Sequence, residues 1–78
     1  MQKTVKAFPK NKFQEVRVSI SEYEGNDLID LRVWSKRPNS EEMGPTSKGV
    51  SINVLLYNEL KEAVLALEQE LKDNGLLK

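Results

Sequence analysis

Trp34 stands between Arg32 and Lys36 at a spacing of two residues. It lies in a run, Leu28 to Arg37, where the intervening positions Ile29, Leu31 and Val33 are apolar. Period-two alternation puts the two sets on opposite sides of a strand. A planar guanidinium recognises phosphate and an indole offers a flat surface to a base. The exposed trio therefore has the chemistry of a single-strand platform, where each stacked base contributes about 1–3 kcal/mol. Arg17 belongs to the preceding alternating run, Phe13 to Ser21, and falls on the same side. A purely structural reading of these residues also stands. It has Trp34 covered by the N-terminal segment or a dimer seam, and Arg32 paired to Asp30 or Glu15. An indole inside the hydrophobic interior, with both guanidinium groups locked onto acids, would favour that reading.

Other chemistries lack their residues. The chain has no Cys and no His, which removes disulfides, thiolate nucleophiles, thiolate or imidazole metal sites and the commonest general base. Glu22, Glu24, Asp27 and Asp30 surround a turn and could suggest a magnesium nuclease site. Carboxylates spread over a hairpin tip do not converge without a scaffold aiming them. The glycines at 25, 44, 49 and 75 have no phosphate-loop spacing. The expectation is a protein that is not an enzyme, with no catalytic residues, no cofactor and no metal.

The elements that would hold this platform can be read along the chain. Its 78 residues make one small domain, and 12 Lys+Arg balance 12 Asp+Glu. The balance hides a segregation: residues 1–20 set Lys3, Lys6, Lys10, Lys12 and Arg17 against Glu15 alone, while residues 21–31 carry only acids. Residues 1–12 read as a basic N-terminal arm, with Phe8-Pro9 extended or turning, and residues 13–78 as the domain. Within it come a strand with Val16, Val18 and Ile20 inward, a turn at Glu24-Gly25-Asn26-Asp27, the Leu28–Arg37 strand, a loop from Pro38 to Ser47, and a short strand at Lys48–Ile52. Asn53 caps a helix whose stripe is Leu56, Leu60, Ala63, Val64, Leu67 and Leu71, and Gly75 ends it.

The fold class expected is α+β, an antiparallel sheet of three to four strands followed by one C-terminal α-helix. A chain this short buries only about 60% of its unfolded surface, and one helix leaves part of such a sheet uncovered. A homodimer is therefore expected, with Leu56, Leu60, Val64, Leu67 and Leu71 at its interface. No apolar run reaches the length of a membrane helix, and Met1-Gln2-Lys3-Thr4 leads into no signal-peptide core. No membrane partner and an intracellular location, not secretion, are the expectation.

The run Tyr23-Glu24-Gly25-Asn26-Asp27-Leu28-Ile29-Asp30-Leu31-Arg32-Val33-Trp34, a loop ending Met43-Gly44-Pro45, and then Lys48-Gly49-Val50-Ser51-Ile52-Asn53 before a helix resemble the positive cofactor four transcriptional coactivator domain. The likeness spans roughly residues 13 to 72. It implies a homodimer whose sheet face binds single-stranded or unpaired DNA with little sequence preference, serving transcription or replication, recombination and repair. The transcription or replication machinery is a possible further partner. By position, Arg32 matches the family's DNA-contacting arginine, Tyr23 the aromatic at the hairpin tip, and Lys48 the lysine before the third-strand glycine.

The expected DNA-binding set is thus Arg17, Tyr23, Arg32, Trp34, Lys36 and Lys48, with Lys10 and Lys12 of the arm in support. The family often places bases where this chain has Glu24, Asn26, Gly44 and Ser47. Each lost phosphate contact makes the single-strand salt slope shallower by about 0.7. A second reading follows: a protein-interaction cofactor that kept the fold with weak or no DNA binding.

Overall fold

Alternation and turn chemistry produce a four-stranded antiparallel meander in the order β1-β2-β3-β4. The computed structural model describes residues 1–77. The strands are β1 (Lys3–Pro9), β2 (Gln14–Tyr23), β3 (Asn26–Lys36) and β4 (Met43–Asn53). A 3₁₀ turn at Val54–Leu56 then leads into α1 (Tyr57–Asp73).

Tyr23 pairs with Asn26 across a two-residue turn, with φ of 49° at Glu24 and 78° at Gly25. Positive φ at both central positions is the type I′ geometry that matches the twist of the flanking strands. Asn53 accepts a hydrogen bond from the Leu55 amide at 2.9 Å, so the asparagine caps the 3₁₀ turn that precedes the helix proper. At the other end Gly75 takes φ of 67°. The Leu76 amide donates to the Leu71 carbonyl and the Gly75 amide to that of Lys72, which satisfies the last turn.

Two expectations change. The basic arm is largely sheet, since Lys3–Pro9 pair with β2 from Lys3↔Ile20 to Pro9↔Glu15 around a bulge at Val5. All seven residues are exposed, so the segment gains order from backbone pairing at a sheet edge and not from a buried stripe. The third strand of the sequence reading is also longer than Lys48–Ile52. Pairing restarts at Met43↔Lys36, leaving only residues 37–42 as the connection. Gly49 lies opposite Arg32 and Pro45 opposite Trp34, so Thr46, Ser47 and Lys48 bulge out against Val33. Proline is tolerated in a strand at such a place.

The apolar face of the sheet carries Val16, Val18, Ile20, Ile29, Leu31, Val33 and Ile52, all only half-buried. Among the described residues no hydrophobic side chain is fully buried. The helix meets its own sheet chiefly where the 3₁₀ turn abuts β3. Tyr57 and Leu60 there join Val5, Val18, Ile29 and Leu31 around an apolar recess of about 350 Å³. The helix stripe beyond stays open, with Val64 54% and Leu67 57% exposed.

Two measures give the scale of this openness. The accessible surface is 6379 Å², whereas a compact monomer of this mass shows about 4,800 Å². The radius of gyration is 14.8 Å, against about 11.5 Å for a compact chain of this length.

Candidate nucleic-acid interface

Register brings Arg17, Tyr23, Arg32, Trp34 and Lys36 onto the face opposite the apolar one, while Lys10 and Lys12 lie in the β1–β2 connection and Lys48 in the β4 bulge. Ser19 pairs with Asp30, Arg17 with Arg32, and Glu15 with Trp34, so the two arginines face one another across β2 and β3. Directly opposed like charges destabilise a sheet. Here each arginine has its own carboxylate two residues along its own strand, Glu15 for Arg17 and Asp30 for Arg32.

The two guanidinium groups are held very differently. Arg17 Nε donates to Glu15 Oε2 at 2.6 Å, and its guanidinium carbon sits 3.9 Å from the centroid of the Trp34 ring. This cation–π stack leaves the Nη donors of Arg17 uncommitted among the described residues. Arg32 is tied on every side. Its Nε reaches both Asp30 oxygens at 3.2 and 3.3 Å, Nη2 donates to Oδ1 at 3.0 Å, and Nη1 donates to the Thr46 carbonyl at 2.9 Å. Thr46 is itself fixed, because its hydroxyl donates to the Val33 carbonyl at 2.8 Å. Arg32 therefore locks the β4 bulge to the ridge, and Arg17 keeps the freer guanidinium donors.

Asp30 also accepts from the Ser51 hydroxyl at 2.6 Å. Partial burial alone would raise its carboxyl. The hydrogen bonds from Arg32 and Ser51, with the Arg32 charge, outweigh that and hold it below the usual aspartate value. Gly49 is required beside this cluster, since a Cβ there would lie 2.6 Å from the Leu31 carbonyl oxygen and 2.9 Å from Arg32 Cα.

Trp34 is half-buried, covered by Arg17 and not by an interior. Of the two features that would favour a structural role, the paired guanidinium groups are present and the interior indole is not. Lys36 is exposed, with a 3.4 Å contact to Glu41 that is itself 94% exposed. Lys48 sits in the β4 bulge, exposed and without an ion pair among the described residues. Lys12 lies 5.8 Å from the Phe13 ring centroid, and Lys10 reaches Gln14 at 3.4 Å.

Tyr23 is 65% exposed at the hairpin tip, on the ridge face by strand parity. It stands eight residues along β2 from the Trp34 rung, about 27 Å at strand rise. The two aromatics thus mark opposite ends of the ridge and do not form one stack. Ser51 and Thr46 were not singled out by sequence, and Glu15, weighed there as a partner of Arg32, pairs with Arg17 instead. The Glu15-x-Arg17 spacing was a usable signal, because residues two apart on a strand share a face. Nothing in the sequence marks Thr46. Among the described residues no three His, Cys, Asp or Glu side chains gather closely enough to hold a metal ion.

The sequence model of the transcriptional coactivator p15 (PC4) family matches residues 10–63. Among solved structures, a PC4 homologue from Burkholderia pseudomallei superposes with a TM-score of 0.79 at 26% identity, covering 88% of this chain and 92% of its own. A bacteriophage T5 homologue of the eukaryotic coactivator PC4, implicated in recombination-dependent DNA replication, gives a TM-score of 0.67 at 25% identity, covering 97% of this chain and 83% of its own. MoSub1, solved in complex with DNA, gives 0.65 at 27% identity, covering 90% and 84%. No curated protein matches the sequence significantly.

Proposed function

The chain belongs to the transcriptional coactivator p15 (PC4) family, and from that premise we propose that it binds single-stranded or unpaired DNA as a homodimer, with little sequence preference. The observation carrying this reading is the Arg17–Trp34 stack beside Arg32 on an open sheet face. A guanidinium laid on an indole presents a flat cationic surface. Bases stack on it, phosphates accept from its Nη donors, and neither contact depends on base identity. Lys36 and Lys48 add exposed positive charge beside the ridge. The binding needs no catalytic group, metal or cofactor, and its setting is intracellular, in transcription or in replication, recombination and repair. The DNA complex of MoSub1 and the replication role of the T5 homologue support that setting.

The dimer follows from surface. The excess over a compact monomer is about 1,600 Å² per chain, roughly twice the share a standard interface buries on each partner. The exposed stripe of Leu56, Val64 and Leu67, with half-buried Leu60 and Leu71, continues into the apolar recess at β2 and β3 and supplies the contact. A second reading, a protein-binding cofactor with little DNA affinity, is favoured by the carboxylate partnered to each ridge arginine. Anisotropy with labelled oligothymidine separates them. Arg17→Ala and Trp34→Ala are expected to weaken binding at least five-fold while light scattering still reports a dimer. Wild-type affinity in both would remove the ridge as the site.

A further inference from the structure

We propose that Phe13, flanked by Lys12 and Lys36, forms a nucleotide subsite that extends the ridge past Trp34, so that consecutive bases of a single strand stack on the Arg17–Trp34 pair and then on Phe13. The inference rests on the single-strand reading above and assigns the direction and the next contact of the bound strand.

The register carries the argument. The Lys36 amide donates to the Phe13 carbonyl at 3.1 Å, which continues the β2–β3 ladder one rung beyond Glu15↔Trp34 on the ridge face. Rungs on one face are about 6.8 Å apart, a separation that one step of an unstacked, extended strand spans. Tyr23 lies at the far end of the ridge, so Phe13 is the aromatic positioned to take the base beside the one on Trp34.

Phe13 is also prepared for that role. It is 59% exposed where the chain enters β2, an inner strand of the sheet. The loop beneath it is ordered: Asn11 Oδ1 accepts from the Phe13 amide at 3.0 Å, and the Lys10 and Asn11 amides donate to the Gln14 carbonyl. Phe13, Lys36, Arg37, Asn39, Ser40 and Glu41 line an open pocket of about 510 Å³, roomy enough for a nucleotide.

Cations surround the ring. Lys12 stands 5.8 Å from its centroid, and Lys36 holds only the loosely paired, highly exposed Glu41, which a phosphate would displace. Arg37 also borders the pocket, but its guanidinium lies over Gly44, which pairs with Ser35 on the opposite face, so the ridge-face cations beside the ring are Lys12 and Lys36.

The test exploits the fact that Trp34 is the chain's one tryptophan. A Trp34→Phe, Phe13→Trp double variant carries its single indole at position 13. Anisotropy with an oligothymidine of about ten nucleotides measures binding while tryptophan emission reports stacking. Bound probe with quenched emission is expected, together with at least a five-fold affinity loss in Phe13→Leu and a salt slope shallower by about 0.7 in Lys36→Gln. Bound probe without quenching, or wild-type affinity in Phe13→Leu, overturns the subsite and leaves the ridge standing. Failure of the wild-type protein to bind the probe would remove the ridge and the subsite together.

Discussion

Glu15 is the residue whose removal gives the sharpest test of how the ridge works. Its carboxylate holds Arg17 Nε at 2.6 Å. A phosphate accepting from the Arg17 Nη donors would sit about 6 Å from that carboxylate. The repulsion at that separation is about 0.7 kcal/mol in bulk water and about 2.8 kcal/mol at the effective dielectric of a protein surface. Screening at 0.1 M salt, with a Debye length of about 10 Å, reduces these to about 0.4–1.5 kcal/mol. Glu15→Gln keeps an oxygen to receive Nε and deletes the charge. Affinity for oligothymidine should therefore rise about two- to twelve-fold at 0.1 M salt, and the gain should shrink as salt is added. Glu62→Gln, the same charge change on the outer helix face, is the control and should leave affinity near wild type. The reasoning is wrong if Glu15→Gln binds no better than wild type, which would make the carboxylate a positioning group, or if Glu62→Gln gains as much.

Glu24 occupies a left-handed position that asparagine adopts more cheaply. Glu24→Asn should stabilise the hairpin by up to about 1 kcal/mol, raising the melting temperature by about 4–8 °C at fixed protein concentration; an unchanged or lower temperature would contradict the turn assignment. Val64→Asp should abolish the dimer in light scattering and, because the described residues bury no core of their own, lose the cooperative melt as well. A stable folded monomer, or an intact dimer, would refute the proposed interface. The carboxyl of Asp30 is held below its unfolded value, so its contribution to stability is present above the unfolded pKa of about 3.9 and lost as pH falls through the folded value. Asp30→Asn should therefore lower stability at pH 7 and flatten the acid limb of the melting profile below about pH 4; parallel limbs for both proteins would show that the Arg32–Asp30–Ser51 cluster carries no such linkage.

How far the sequence revealed this molecule depends on what each signal rests upon. The helix and strands β2 and β3 were legible because their apolar residues recur at the period of the element. β1 was not, since its residues are all exposed and a bulge at Val5 breaks the alternation; only pairing with β2 makes it a strand. β4 was truncated for a related reason, as Gly44-Pro45 followed by three bulged residues reads locally as a loop. At the site, strand parity correctly grouped Arg17, Arg32 and Trp34. It could not distinguish a guanidinium stacked on an indole from one tied to a carboxylate and a backbone carbonyl. That difference lies in Thr46, fourteen residues from Arg32 in sequence. The placement of Tyr23 far from Trp34 was implicit in the register, but adjacency in a motif had concealed it.

The decisive measurement is an anisotropy titration of the wild-type protein with labelled oligothymidine across a range of salt, beside a duplex of equal length. A stacked cationic ridge predicts binding that weakens log-linearly with salt, by about 0.7 per phosphate contact, and prefers the unpaired strand. An absence of binding at low salt, or tighter binding to the duplex, would contradict it.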